Sequence, residues 1–339
     1  MKTLGYSLVV VGVWSLAVPA AAQCDADGDV KFVCGPVSPE DLYAIPDSPW
    51  IIVSSMVDDG NLYATDTRDH SSRVLFPNAT SQLRRDANMY ADCPGPIASE
   101  FRPHGINLRE RSNGLHTLYV VGHGAREAVE VFEIDARAAT PTATWIGCVV
   151  APDGVGLNSV AALPGNGFVA TNFQRPVGEL WEWQPGRGWT RVPGSETNGP
   201  NGVEASADGQ WLFIGGWGTQ SLIRLSRRRT PLEVEAANVG FHIDNVRFAP
   251  DGTLLAAGHV GATPEAIFAC LRERQCNGVR SRVVRVNVQT LAVEELVSYP
   301  SSETFILGTV ALEVGNELWM GGIAGSDRIV RFPAATLPR

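Results

Sequence analysis

The sequence predicts an all-β fold, a six-bladed β-propeller, from three observations. One hairpin pattern recurs six times, helical periodicity is nearly absent, and no linker or second domain interrupts residues 23–339. A supersecondary unit repeated at this length scale is the mark of stacked or radially arranged repeats. Short antiparallel strands arranged in blades around a channel are its closed all-β form.

Each copy has a polar residue, an apolar residue two positions on, a turn rich in Pro, Asp, Gly or Asn, and an apolar strand ending in small residues. The copies are EDLYAIPDSPWIIVSS from Glu40, HGINLRERSNGLHTLYVVGH from His104, and NSVAALPGNGFVATN from Asn158. They continue with NGVEASADGQWLFIGG from Asn201, DNVRFAPDGTLLAAGH from Asp244, and GTVALEVGNELWMGG from Gly308. Each reads as a β-hairpin, because β-branched and aromatic runs flank turn-forming residues. The intervals between copies leave room for the outer strands of a blade. A β-sandwich would need fewer strands and would not recur six times. Pro264 to Arg274 is expected to hold one short helix within an insertion.

Residues 1–22 read as a cleaved secretory signal: Met1-Lys2, an apolar run from Leu4 to Val18, and Ala20-Ala21-Ala22 before the cut. Gln23 stands where a lipoprotein signal needs a small residue, so no lipid anchor is expected. No later stretch is long and apolar enough for a transmembrane anchor. The protein is therefore expected to be exported, periplasmic or secreted. A net charge of −9 and a pI of about 5.2 make nucleic acid a poor partner. The basic run Arg227-Arg228-Arg229 is expected in a surface turn before Pro231. Six cysteines in an exported chain argue for disulfides rather than metal thiolates, with 15 possible pairings. Cys270 and Cys276 bracket a short loop, Cys24 and Cys34 form a second local pair, and Cys93 is left with Cys148.

The six copies align on Leu42, Ile106, Val160, Val203, Val246 and Val310. Two positions earlier stand Glu40, His104, Asn158, Asn201, Asp244 and Gly308. If these are the innermost strands, the six positions form a ring around the axis. A single Asn or Asp there would be an ordinary turn residue. A turn role does not require four oxygen-bearing residues to coincide at one repeat position. Glu, Asp and Asn oxygens converging from several sides suit a hard cation such as Ca²⁺, with Asn245 completing the shell. No cysteine or trio of histidines joins them, which disfavours zinc. A second column at the end of the returning strand holds Ser55, His123, Asn172, Gly216, His259 and Gly322. Thus His104, His123 and His259 share one rim, where an imidazole is suited to act as a general base. His70, His116 and His242 are expected on the surface or in loops.

The segments PEDLYAIPD, FRPHGINL with LYVVGH, LNSVAALPGNGFVATN, GPNGVEASADG, HIDNVRFAPDG and ILGTVALEVGNELWMGG together resemble the paraoxonase/arylesterase family. More distantly they resemble the gluconolactonase and SMP-30-like propellers. The resemblance runs from about Pro39 to Arg331 in order and spacing. It implies a calcium-dependent hydrolase of lactones and aryl esters, with Glu40, Asn158, Asn201, Asp244 and Asn245 on the catalytic ion. It further implies His104 and His123 as a catalytic dyad and His259 as a substrate-binding residue at the mouth. A second, structural calcium would use Asp41 and the Ile106 carbonyl. The family's other Asp is Ser159 here, a weaker ligand, so the second ion is the less supported of the two. The family ties its N-terminal region to its last blade by a disulfide. No cysteine follows Cys276, so closure here must rest on strand pairing.

Taken with the resemblance, these residues lead to the expectation of a calcium-dependent carboxylic-ester hydrolase of a small-molecule lactone or ester. It has no serine nucleophile motif, since G-x-S-x-G is absent. Two rivals remain: a sugar-lactone hydrolase with metal-activated water, and a non-catalytic propeller that binds a ligand or protein through its loops.

Overall fold

The computed structural model describes residues 24–336, apart from 98, 304 and 325; the expected leader over 1–22 lies outside them. Six small, mainly antiparallel sheets form a ring of blades. Blade 1 comprises Pro39–Ala44, Trp50–Ser55, Leu62–Asp66 and Ser72–Phe76. Blade 2 comprises Phe101–Glu110, Leu115–Gly124, Ala128–Asp135 and Thr142–Val150, with Gln82–Leu83 added in parallel outside. Blades 3, 4 and 5 begin with Leu157–Ala162, Pro200–Ala205 and His242–Phe248, and each has four strands. Blade 6 has Leu307–Val314, Glu317–Ile323 and Arg328–Pro333, and takes its outer strand, Lys31–Cys34, from the beginning of the chain. Lys31 pairs with Arg331 and Cys34 with Arg328, so strand pairing closes the ring.

The first strand of each blade touches the first strands of its two neighbours all the way round. The alignment residues Leu42, Ile106, Val160, Val203, Val246 and Val310 are all fully buried. Apolar burial of this kind is the main force joining the blades.

Each pairing of a first strand with its second slips once. The slips fall between Pro39 and Asp41, Pro103 and Ile106, Leu157 and Val160, Pro200 and Val203, Ile243 and Val246, and Gly308 and Val310. A bulge leaves a residue unpaired and re-aims side chains. The residues within these bulges include Glu40, His104, Asn158, Asn201, Asp244 and Asn245, which are the polar column. In blade 6 the slip falls one residue later, so the unpaired residue is Thr309; Gly308 pairs with Gly322 and is not a member of the ring. Neighbouring bulges crowd each other at two glycines. A Cβ on Gly105 would stand 2.5 Å from the Asn158 carbonyl oxygen, and one on Gly202 would stand 2.6 Å from Asn245 Cα.

The expected helix forms over Pro264–Glu273. Thr263 caps it by accepting from the Ala266 amide, Pro264 opens it, and Arg274 ends it in the left-handed region. Disulfides join Cys24–Cys34, Cys93–Cys148 and Cys270–Cys276, the expected pairings. Three disulfides are compatible with export to an oxidising compartment. Among the described residues no helix is long and apolar enough to cross a membrane.

Two surface expectations are corrected. Arg227 turns inward, because Glu182 of blade 3 offers both carboxylate oxygens to its guanidinium at 2.6 and 2.7 Å. His116 and His242 are buried rather than exposed; His242 lies under Trp217, with ring centroids 4.2 Å apart.

Candidate active site

The bulges bring the predicted oxygen donors together on the axis. Glu40 Oε1 accepts from Asn245 Nδ2 at 2.7 Å across the channel. Asn201 lies beside Asp244, whose Oδ2 stands 3.4 Å from His259 Nε2. Asn158 occupies the corresponding bulge of blade 3. Glu40, Asn201, Asp244 and Asn245 are all buried. Burial, with the charges of Asp41 and Asp244, raises the Glu40 carboxyl well above the usual range. Burial, then Asp41, pushes Asp244 up to about 8. Glu40 Oε2, Asn201 Oδ1 and Asn245 Oδ1 are buried with no hydrogen-bond partner. Buried oxygens without partners are costly, and two crowded acids repel. A hard cation would relieve both penalties, so this donor set fits calcium. Among the described residues no group of three or more His, Cys, Asp or Glu side chains could hold a metal. An ion here would therefore depend on amide oxygens.

One level down the channel the arrangement reverses. Asp41 and the Ile106 carbonyl, the pair expected at a second calcium, both accept from Arg247 Nη2. Arg247 also donates to the Leu42 carbonyl at 3.1 Å and to Glu204 Oε1 at 3.3 Å. Ser159 accepts from the Val203 amide at 3.3 Å. One guanidinium thus gathers oxygens from blades 1, 2 and 4 at the place where a second cation would sit. Its plane also lies over the Tyr43 ring, 5.3 Å from the centroid. Repeat alignment missed this level, although its signal is present. The residue after each aligned aliphatic is Tyr43, Asn107, Ala161, Glu204, Arg247 or Ala311.

His104 and His123 form the expected pair, with His104 Nδ1 2.9 Å from His123 Nε2. His104 Nε2 faces Glu40 Oε1 at 3.8 Å. Burial, the neighbouring His123 and Arg102 hold the His104 imidazole well below its usual pKa, and therefore neutral. Behind His123, Nδ1 meets Glu127 Oε2 at 2.8 Å. Sequence reasoning missed Glu127, which belongs to no repeat column. Its one sequence signal is a carboxylate four residues after a rim histidine.

The mouth is walled unevenly. Beside His123 lies a cavity of about 260 Å³ lined by Pro94, Pro96, Ile97, Phe101 and Arg126. The Cys93–Cys148 bridge ties the segment bearing Pro94, Pro96 and Ile97 to the outer strand of blade 2. Phe268 of the helix stacks on the buried Trp217, with centroids 5.2 Å apart, and Arg175 lies over the Trp217 ring. His259, expected to bind substrate, is 3% exposed and stands against Asp244.

No family model and no curated protein sequence matches the chain. Its likenesses are to solved structures. A protein provisionally designated a gluconolactonase superposes with a TM-score of 0.54 at 12% identity, covering 90% of this chain and 91% of that one. Luciferin-regenerating enzyme gives 0.55 at 10% identity, covering 91% and 96%. The nidogen/laminin complex gives 0.50 at 9% identity, covering 82% and 95%. At these identities the likeness shows the fold alone, a six-bladed propeller. The fold hosts both catalysis and binding, so function must be argued from the site.

Proposed function

We propose that the protein is a calcium-dependent hydrolase of small lactones or aryl esters, with His104 as general base. The observation that carries this reading is a buried histidine, paired to a second histidine at 2.9 Å, beside buried oxygens of Glu40, Asn201 and Asn245 that lack partners. Glu40, Asn158, Asn201, Asp244 and Asn245 would hold the ion. When bound, calcium supplies positive charge that favours the oxyanion developing on a carbonyl oxygen. His104 Nε2 accepts a proton from the attacking water, and His123 holds His104 in orientation. The cavity beside His123, with Pro94, Pro96, Ile97 and Phe101 in its lining, is suited to the organic part of an ester or lactone. If the protein is exported, as the leader leads one to expect and the disulfides allow, such a substrate would be met outside the cytoplasm.

A panel of lactones and aryl esters, run with and without a calcium chelator, tests the reading directly. Hydrolysis should vanish on chelation and return with Ca²⁺ better than with Zn²⁺. His104→Gln should keep the fold and calcium binding but lower kcat on an aliphatic lactone by roughly 10²-fold or more. Wild-type kcat in that variant would favour the second reading, a sugar-lactone hydrolase in which the histidines are structural. That alternative draws on the likeness to the gluconolactonase-designated structure.

A further inference from the structure

The histidine pair does not end at His123. Glu127 lies in the turn between Leu115–Gly124 and Ala128–Asp135. Its two oxygens have different partners: Oε2 meets His123 Nδ1 at 2.8 Å, and Oε1 accepts from the Leu157 amide at 2.7 Å. Leu157 opens the innermost strand of blade 3, so a backbone donor of the neighbouring blade fixes the carboxylate in place.

An ionised carboxylate can only accept, so the hydrogen between Glu127 and His123 belongs to His123 Nδ1. In a neutral imidazole the other nitrogen is then a bare acceptor. With His123 carrying that one ring hydrogen, its Nε2 receives the 2.9 Å hydrogen bond from His104 Nδ1. That leaves His104 Nε2 without hydrogen, and this is the nitrogen that faces Glu40 and the channel. A base needs a lone pair directed at the proton it will take. Reversing the chain would point an N–H into the channel instead.

We propose that Glu127 is a positioning residue that sets the tautomers of both histidines and so presents a lone pair on His104 Nε2 to the channel. This rests on the hydrolase reading only for its kinetic consequence. In that step the water O–H bond breaks and its proton goes to His104 Nε2. The oxygen bonds the carbonyl carbon, and the carbonyl π pair moves to the carbonyl oxygen. The imidazolium formed on His104 lies at the end of a hydrogen-bonded chain that terminates in the negative charge of Glu127.

The test combines nitrogen NMR of ring-labelled histidines in the full chain with kinetics of Glu127→Gln. In the wild type, His123 and His104 should each carry hydrogen on Nδ1 and none on Nε2. In Glu127→Gln, whose amide can donate as well as accept, His123 should lose its single tautomer. kcat should fall about 10–10²-fold with KM within about twofold, well short of the loss that a wrong tautomer causes in a serine protease triad. Hydrogen on His104 Nε2 in the wild type would overturn the proposal. So would a Glu127→Gln variant that keeps both ring patterns and its kcat. If no ester or lactone is hydrolysed, the hydrolase reading fails and the ring-nitrogen pattern still decides the role of Glu127. The wild-type spectrum does so even if the variant does not fold.

Discussion

The channel carries two levels of buried acid, and the protein treats them in opposite ways. At the lower level Asp41 and Glu204 share Arg247, a cation built into the chain and only 2% exposed. At the upper level Glu40 and Asp244 have amides and histidines around them but no cation, and three oxygens have no partner. The lower level is complete in the folded chain and serves cohesion across blades 1, 2, 4 and 5. The upper level leaves buried oxygens without partners, as the ion site proposed above would.

Removing the internal cation should give the largest effect. Arg247→Met leaves Asp41 and Glu204 buried without a counter-charge, and breaking a buried pair from one side costs about 3–5 kcal/mol. Urea unfolding measures this, and a loss below about 1 kcal/mol would show that the lower level is not a staple.

The upper level should respond in the opposite direction. Glu40→Gln and Asp244→Asn should leave the metal-free protein as stable as the wild type or more so, because each removes a buried carboxylate that lacks a cation. Added calcium should raise the Tm of the wild type by binding only the folded state, about 2.7 kcal/mol at a hundredfold excess over Kd. Both variants should lose that rise, while Asp69→Ala, an exposed loop carboxylate, keeps it. An equal calcium response in all three would erase the distinction between the levels.

A peripheral ion pair supplies the smallest effect. Arg227 and Arg228 lower the Glu182 carboxyl to about 2, against burial that would raise it. A depressed carboxylate stabilises the fold above its unfolded value and loses that contribution as pH falls. The window therefore runs from about 4.5 down to about 2. With solvent screening allowed for, the effect is on the order of 1–2 kcal/mol. It should be missing from the acid melting profile of Glu182→Gln.

The blades were legible because two constraints repeat: an aliphatic that must be buried between neighbours, and a polar residue two places before it. Glu40, His104, Asn158, Asn201 and Asp244 could be placed in one column on that basis, whereas the cysteine pairs were read from their spacing and the helix from an insertion between repeats. The bulges were not legible. Hairpin periodicity counts residues as though the ladder were regular, which is why Gly308 was placed where Thr309 stands. Arg247 was missed because a charged residue beside a buried valine in an alternating strand reads as the outer face. It points inward only because the strand lines a channel with no outer side. Glu127 was missed because a contact unique to one blade leaves no trace in a repeat.

The seam in blade 6 bears on how the molecule comes to exist. An open stack of repeats can grow from any nucleus and must shield its end units. This ring has no end units, but its last sheet joins Lys31–Cys34 to Arg328–Pro333, almost the whole chain apart. Contacts of such long sequence separation are slow to form. Blade 6 stays a strand short until both segments are present, whichever is made first. The oxygens of the upper level come from blades 1, 3, 4 and 5, and they hold their mutual distances only once the circle is shut. If calcium binds there as proposed, its affinity would gauge circular closure, and a chain nicked free of its first strand should lose the ion before it loses its blades.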